Sequence, residues 1–140
     1  MSLDPRELRN AFGSFLTGVT IVTTVDETGA QTGFTANSFT SISLDPPLLL
    51  VCLAKNADCY DAFMNCDGFA VNVLSEHQKE LSNIFASKGI DKFADAEMRR
   101  EPVRHPVFHG DCAWFDCDVE QRLDGGDHTI LIGRVMDFNY

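Results

Sequence analysis

Gln31–Leu53, QTGFTANSFTSISLDPPLLLVCL, is the stretch on which the fold turns. From Gln31 to Ser43 it is rich in Thr and Ser with Phe interspersed, a composition that predicts one strand whose polar edge faces a hydrogen-bonding group. Pro46 and Pro47 punctuate the chain. LLLVCL, Leu48 to Leu53, is apolar on both faces, as expected of a central strand deep in a barrel wall.

Upstream, VTIVTTV from Val19 to Val25 is β-branched throughout and predicts a strand, with Asp26 to Gly29 as its turn. Before it, Asp4, Pro5 and Glu7 mark a helix start, because the carboxylate caps free N–H groups, proline suits the first turn and Glu7 completes a capping-box spacing. Leu8, Ala11, Phe12 and Phe15 recur at helical spacing, and Gly18 ends that helix. Downstream, Ala57 to Asn65 predicts a short helix with Tyr60, Phe63 and Met64 inward. A strand follows at FAVNVL, Phe69 to Leu74, then a second amphipathic helix from Glu76 to Phe85. Ala86 to Gly110 holds Gly89, Pro102, Pro106 and several charges with little periodicity, and a connection of that length is expected to line a site. Cys112 to Leu123 alternates, with Trp114, Asp116, Asp118 and Glu120 opposite Phe115, Cys117 and Val119. Gly125 and Gly126 supply positive-φ turn positions, and Thr129 to Phe138 completes a hairpin. Six or so strands, two or three helices, no βαβ alternation and no repeat predict a mainly β fold, an antiparallel barrel with peripheral helices, spanning residues 1–140 as one domain.

Composition narrows the function. The 140 residues are 44% hydrophobic, enough for a continuous core, and carry a net charge of −10. That charge argues against nucleic acid, whose binding needs clustered Lys and Arg. The longest apolar run, Leu48 to Ala54, is about a third of a bilayer-spanning helix, and the N-terminus lacks the basic-then-apolar layout of a secretory signal, so no membrane is expected and the location expected is cytoplasmic. Five cysteines (Cys52, Cys59, Cys66, Cys112 and Cys117) form an odd set without a CxxC pair, which fits reduced thiols. There is no GxGxxG, no Walker loop and no GxSxG. His105, His109, Asp111 and Cys112 fall within eight positions, but Pro106 breaks any helix that would align them, so no metal is expected.

TANSFTSISLDPP, Thr35 to Pro47, resembles the signature of the flavin reductase-like family, small reductase components of two-component flavin monooxygenases with the FMN-binding split-barrel fold. Four further pieces stand in family order: FLTGVTIVTT at Phe15–Thr24, FAVNVL at Phe69–Leu74, FAS with DKF across Phe85–Phe93, and GDHTILIGRV at Gly126–Val135. The resemblance implies an antiparallel split β-barrel and an NAD(P)H-dependent flavin reductase. It also implies FMN or FAD as cofactor, NADH or NADPH as co-substrate, a homodimer and a monooxygenase that receives reduced flavin. Family members usually continue past the position of Tyr140 with a further strand and tail; either the chain is cut short there or this member lacks them. The alternative within the fold is a non-enzymatic carrier or electron-transfer protein for flavin or haem, with His128 as the histidine near the pocket.

The resemblance assigns the site residue by residue. Ala36, Asn37, Cys52, Leu53 and Ala54 match ring-contact positions, where bulk would hold the tricycle away, and Thr35 beside them is a further cofactor-binding position. Ser38 and Ser41, with nearby backbone amides, supply donors to the phosphate. Lys92 of the DKF element adds charge beside Phe93, and Asn56 lies near the phosphate or polyol. Phe85, Ala86 and Ser87 line the flavin from the irregular loop. His128 is the expected catalytic residue, at the open face where a nicotinamide stacks. Hydride transfer requires two stacked rings more than an acid or base, which fits the absence of a catalytic dyad.

Overall fold

A computed structural model describes residues 4, 6, 19–36, 38–101 and 103–140. The helix expected from Asp4 to Phe15 lies outside the described residues. Seven strands form one antiparallel sheet: β1 (Thr20–Val25), β2 (Gln31–Ala36), β3 (Thr40–Leu44), β4 (Pro47–Ala54), β5 (Gly68–Val73), β6 (Ala113–Gly125) and β7 (His128–Asn139). Two short helices, α1 (Tyr60–Asn65) and α2 (Lys79–Phe85), flank β5, and a 3-10 turn at Glu76–Gln78 precedes α2. No described helix is long and apolar enough to cross a membrane.

The sheet order is β2-β1-β5-β6-β7-β4-β3. β2 and β3 are therefore the two outermost strands, yet only residues 37–39 separate them in the chain. The single strand expected from Gln31 to Ser43 is thus two strands at opposite edges of the sheet, and the sheet curls to let them meet. Val22 of β1, Phe34 and Ala36 of β2, Leu49, Val51 and Leu53 of β4, Val71 of β5, Cys117 of β6 and Leu131 of β7 all pack into one core, with Phe63 of α1 closing it. This is the expected mainly β split barrel. Along β4 the inward residues Leu49, Val51 and Leu53 are buried while Leu48, Leu50 and Cys52 are only partly so. Its uniform apolarity thus conceals an alternation.

The outer face of β1, β5 and β6 is also covered, contrary to a polar face on β6. Trp114 and Asp116 are buried beneath the 103–108 segment, whose Val107 packs on Ala70 and Trp114. Asn72, fully buried on β5, donates to the Ile21 carbonyl at 3.0 Å and accepts the Phe108 N–H at 3.2 Å, while the Thr23 hydroxyl donates to the Pro106 carbonyl at 2.6 Å. Asp116 takes Arg104 on one oxygen and His105 on the other. Burial pushes its carboxyl up, but the His105 and Arg104 bonds outweigh burial and hold it below its ordinary range.

Three local details differ from expectation. α1 begins at Tyr60, because Ala57 to Cys59 form turns. The second helix opens as a 3-10 turn under a Ser75/Gln78 capping box. Of the two hairpin glycines, only Gly126 has positive φ, at 81°, while a β-carbon at Gly125 would crowd Ile130.

Because Asn72 joins two strands and the covering segment, Asn72→Ala should cost about 2–4 kcal/mol, since it strips a buried N–H of its acceptor. Urea unfolding measures the loss, and faster amide exchange at Phe108 would localise it.

Candidate active site

β3 pairs with β4 only from Leu44↔Pro47 to Thr40↔Leu50, so β4 beyond Leu50 has no strand on that edge. There the Cys52 N–H donates to the Ser38 hydroxyl oxygen at 2.9 Å. Backbone groups of an antiparallel strand alternate between its two edges, so the Ala54 N–H aims at the same open edge as that of Cys52. The neighbouring Lys55 N–H turns to the Asp127 carbonyl on the other side, as alternation requires. Across the gap stands the free edge of β2. A cleft of about 270 Å³ fills this split.

Its floor is the barrel core at Phe34, Ala36, Leu53 and Cys59. One wall is Thr35, Ala36 and Ser38, and the facing wall is Cys52, Leu53, Ala54 and His128. One end is closed by the turn Asn56–Cys59 together with the segment Phe85–Lys88 and Lys92. The Thr35 hydroxyl is committed to the Ser82 carbonyl at 2.7 Å and ties β2 to α2, and Ser87 donates to the Asn83 carbonyl at 3.0 Å. Ser38 differs: its oxygen accepts from Cys52 and its proton stays available to donate.

The charges are local. Lys88 donates to the Asn56 carbonyl at 3.0 Å and Lys92 to the Gly33 carbonyl at 3.4 Å, so both ammonium groups meet backbone dipoles rather than carboxylates in these bonds. Burial pushes the Cys59 thiol up, the Lys92 charge opposing, and it stays protonated. His128, half-exposed at the start of β7, contacts Asp127 through Nδ1 at 2.7 Å, which leaves Nε2 for another partner. That hydrogen bond, with the His128 charge, holds the Asp127 carboxyl below its usual range.

Most of the predicted residues thus come together: Thr35, Ala36, Ser38, Cys52, Leu53, Ala54, Asn56, Phe85, Ala86, Ser87, Lys92 and His128 all line the cleft. Asn37 lies outside the described residues. Ser41 is exposed on β3 and does not line it, because the crossing carries it to the far edge. Phe93 turns away to pack on Phe85 and Phe108, centroids 4.9 and 5.9 Å apart. Sequence reasoning missed Phe34, Ala57, Asp58, Cys59 and Lys88. Lys88 directly follows the FAS element, a signal available in the sequence.

Three roomier hollows lie elsewhere, about 520 Å³ between α2 and Asp91–Glu97, about 560 Å³ beside Trp114 and Met136 and about 380 Å³ beside Met98 and His109, but none adjoins the open strand edge. Among the described residues no three His, Cys, Asp or Glu side chains converge for a metal. His105 is held by Asp116, and Asp111 by Gln78.

Asp111 supports the cleft from behind. Gln78 donates to it at 2.9 Å while accepting the Ser75 N–H at 2.8 Å, which fixes the start of the segment ending at Phe85. Burial raises the Asp111 carboxyl to about 7, the Gln78 bond only partly opposing it. The folded protein therefore holds this proton more tightly than the unfolded chain. Its contribution is full below about pH 4, declines as pH rises to about 7 and is lost above that. Asp111→Asn should accordingly gain stability relative to the parent protein between about pH 5 and pH 8. Urea unfolding at the two pH values measures this, and a difference that does not change with pH would contradict it.

A family model described as the flavin reductase like domain matches residues 12–140. A probable flavin reductase of Rhizobium meliloti is 53% identical over 135 residues, which are 96% of this chain and 43% of that protein. The reductase component of a flavin-dependent trigonelline monooxygenase from Acinetobacter baylyi is 53% identical over 133 residues, 95% of this chain and 43% of that protein. The chain therefore spans less than half the length of these two relatives. Among solved structures, an NADH:FAD oxidoreductase of Streptomyces globisporus C-1027, in complex with NAD and FAD fragments, superposes with a TM-score of 0.89 at 36% identity, covering 99% of this chain and 86% of that one.

Proposed function

Since the chain belongs to the flavin reductase like family, we propose that it passes a hydride from NADH or NADPH to FMN or FAD held in the cleft and supplies reduced flavin to a partner monooxygenase. The observation that carries this reading is the cleft itself. An open strand edge presents the Ala54 N–H, and the Ser38 hydroxyl held by the Cys52 N–H, beside small side chains, with two lysines at one end. A flavin has the same layout, a ring edged with N and O atoms at one end and a phosphate at the other, so these residues fit it. When bound, it supplies the hydride-accepting ring.

The chain's own residues hold and orient. The Ala54 amide offers a fixed donor to the ring edge, where negative charge would collect on reduction. Ser38 adds a hydroxyl donor. Ala36 and Ala54 keep the wall thin, and Phe34 and Leu53 exclude water from the floor. Lys92 and Lys88 supply cations in a chain of net charge −10. His128, half-exposed beside Ala54, orients the second ring through Nε2.

The homologous reductase components support a monooxygenase partner. Exposed Ile42 and Leu44 on β3, with Met136 and Phe138 on β7, support association with a second copy of the chain. Five free cysteines support a reducing cytoplasm. We treat the 140 residues as one domain, because a single sheet and its core span β1 to β7.

Anaerobic mixing of the protein with FMN and then NADH should bleach the oxidised flavin, more slowly with nicotinamide deuterated at the transferred position. Absence of turnover with either pyridine nucleotide and any flavin would overturn the assignment. His128→Ala should lower kcat/KM for the nicotinamide by about tenfold or more while flavin titration stays within about twofold. Lys92→Met should weaken FMN by about tenfold, the worth of a charge-assisted hydrogen bond, and leave riboflavin, which has no phosphate, unchanged. Equal losses for both ligands would remove Lys92 from the phosphate.

A further inference from the structure

Two turns close one end of the cleft, and they touch through two hydrogen bonds only 31 and 32 residues apart in sequence: the Gly89 N–H donates to Asp58 Oδ2 at 3.1 Å and Lys88 Nζ to the Asn56 carbonyl at 3.0 Å. Each turn is stiff by itself. The first is braced by the Ala57 N–H on the Ala54 carbonyl and the Lys55 N–H on the Asp127 carbonyl, and the ion pair of Lys55 with Asp124 reinforces it. The second is braced by the Ala86 N–H on the Ser82 carbonyl and the Ser87 N–H on the Ile84 carbonyl. The bonds between them are different, because all four residues are solvent-exposed and the chain leaves the second turn through Gly89 at φ 75° with open space where a β-carbon would stand. An exposed hydrogen bond shifts an open–closed equilibrium by only about three- to tenfold. The weak join therefore sits at the end of the cleft.

We propose that Asp58–Gly89 and Asn56–Lys88 form a clasp that sets how long a flavin stays in the cleft. This rests on the flavin reading of the site and deepens it. Asn56, Asp58 and Lys88 line the cleft together with Lys92, so a flavin that enters or leaves between the two turns must part the clasp. A clasp this weak opens often, which suits a flavin handed on after each reduction rather than one retained.

The test separates the hydrogen bond from the charge. Asp58→Ala removes both, whereas Asp58→Asn removes the charge and keeps an oxygen that accepts the Gly89 N–H. With FMN in stopped-flow binding, Asp58→Ala should raise the association and dissociation rates together by about three- to tenfold, with Kd changed less than about threefold, and Asp58→Asn should restore slow release. Amide exchange at Gly89 should be faster in Asp58→Ala than in Asp58→Asn, with or without flavin. If FMN binds and Asp58→Ala releases it at the parental rate, or both variants behave alike, the clasp is overturned while the flavin site stands. If the parent protein binds no flavin, the reading of the cleft fails and the clasp with it.

Discussion

A short crossing governs this fold. Ala36 ends the first strand of the sheet order and Thr40 begins the last, six strand spacings away. Laid flat, strands spaced by about 4.8 Å would put those edges roughly 29 Å apart. Four residue steps of extended chain reach at most about 14 Å. The sheet must curl until its edges nearly meet, and closure is incomplete because the crossing residues occupy the place of a ladder. Ser38 replaces it with one side-chain bond to the Cys52 amide. The cleft is the remainder of a barrel that its own connection prevents from closing.

Curling leaves the convex face of β1, β5 and β6 to be covered, and this explains the long irregular segment. Val107 and Phe108 bury their side chains on this face, and buried polar bonds fix the segment's register. Asn72 and Thr23 take the backbone at Phe108 and Pro106, and Asp116 takes Arg104 and His105. Once seated, the segment carries Phe93 and Phe108 under Phe85, which aims α2 at the cleft. The covering of one face and the shaping of the site on the other are therefore one packing problem.

This hierarchy shows what the sequence could reveal. β1 and β5 were legible because β-branched and apolar runs admit few alternatives, and the β6–β7 hairpin because Gly126 marks its turn. The break at 37–39 was not, since the residues before and after it share one composition and only tertiary pairing separates them. β6 showed its alternation, but which face stays dry depends on a segment with no periodicity of its own. The Ser75/Gln78 capping box was present as a spacing and went unused. In the cleft, Ala36 and Cys52 to Ala54 read by composition as ordinary strand packing, and only the family resemblance singled them out. Ser41 and Phe93 are carried elsewhere by the crossing and by aromatic packing. Asp58 meets Gly89, and Asn56 meets Lys88, through turns about thirty residues apart, a proximity no local pattern records.

Hydride transfer between two bound rings needs distance and alignment above all, so precision should reside where the backbone is least free to move. In the proposed reading the ring-facing donors are backbone groups of β4, which pairs with β7 from Leu48 to Ala54. A side chain in their place would have rotamers to lose; a strand edge has none. Exchange of the flavin demands the opposite property, and the groups at the cleft's end are solvent-exposed turns with marginal bonds. A barrel that stops one ladder short provides both, a rigid edge for orientation beside two loosely joined turns for passage, without any catalytic acid or base.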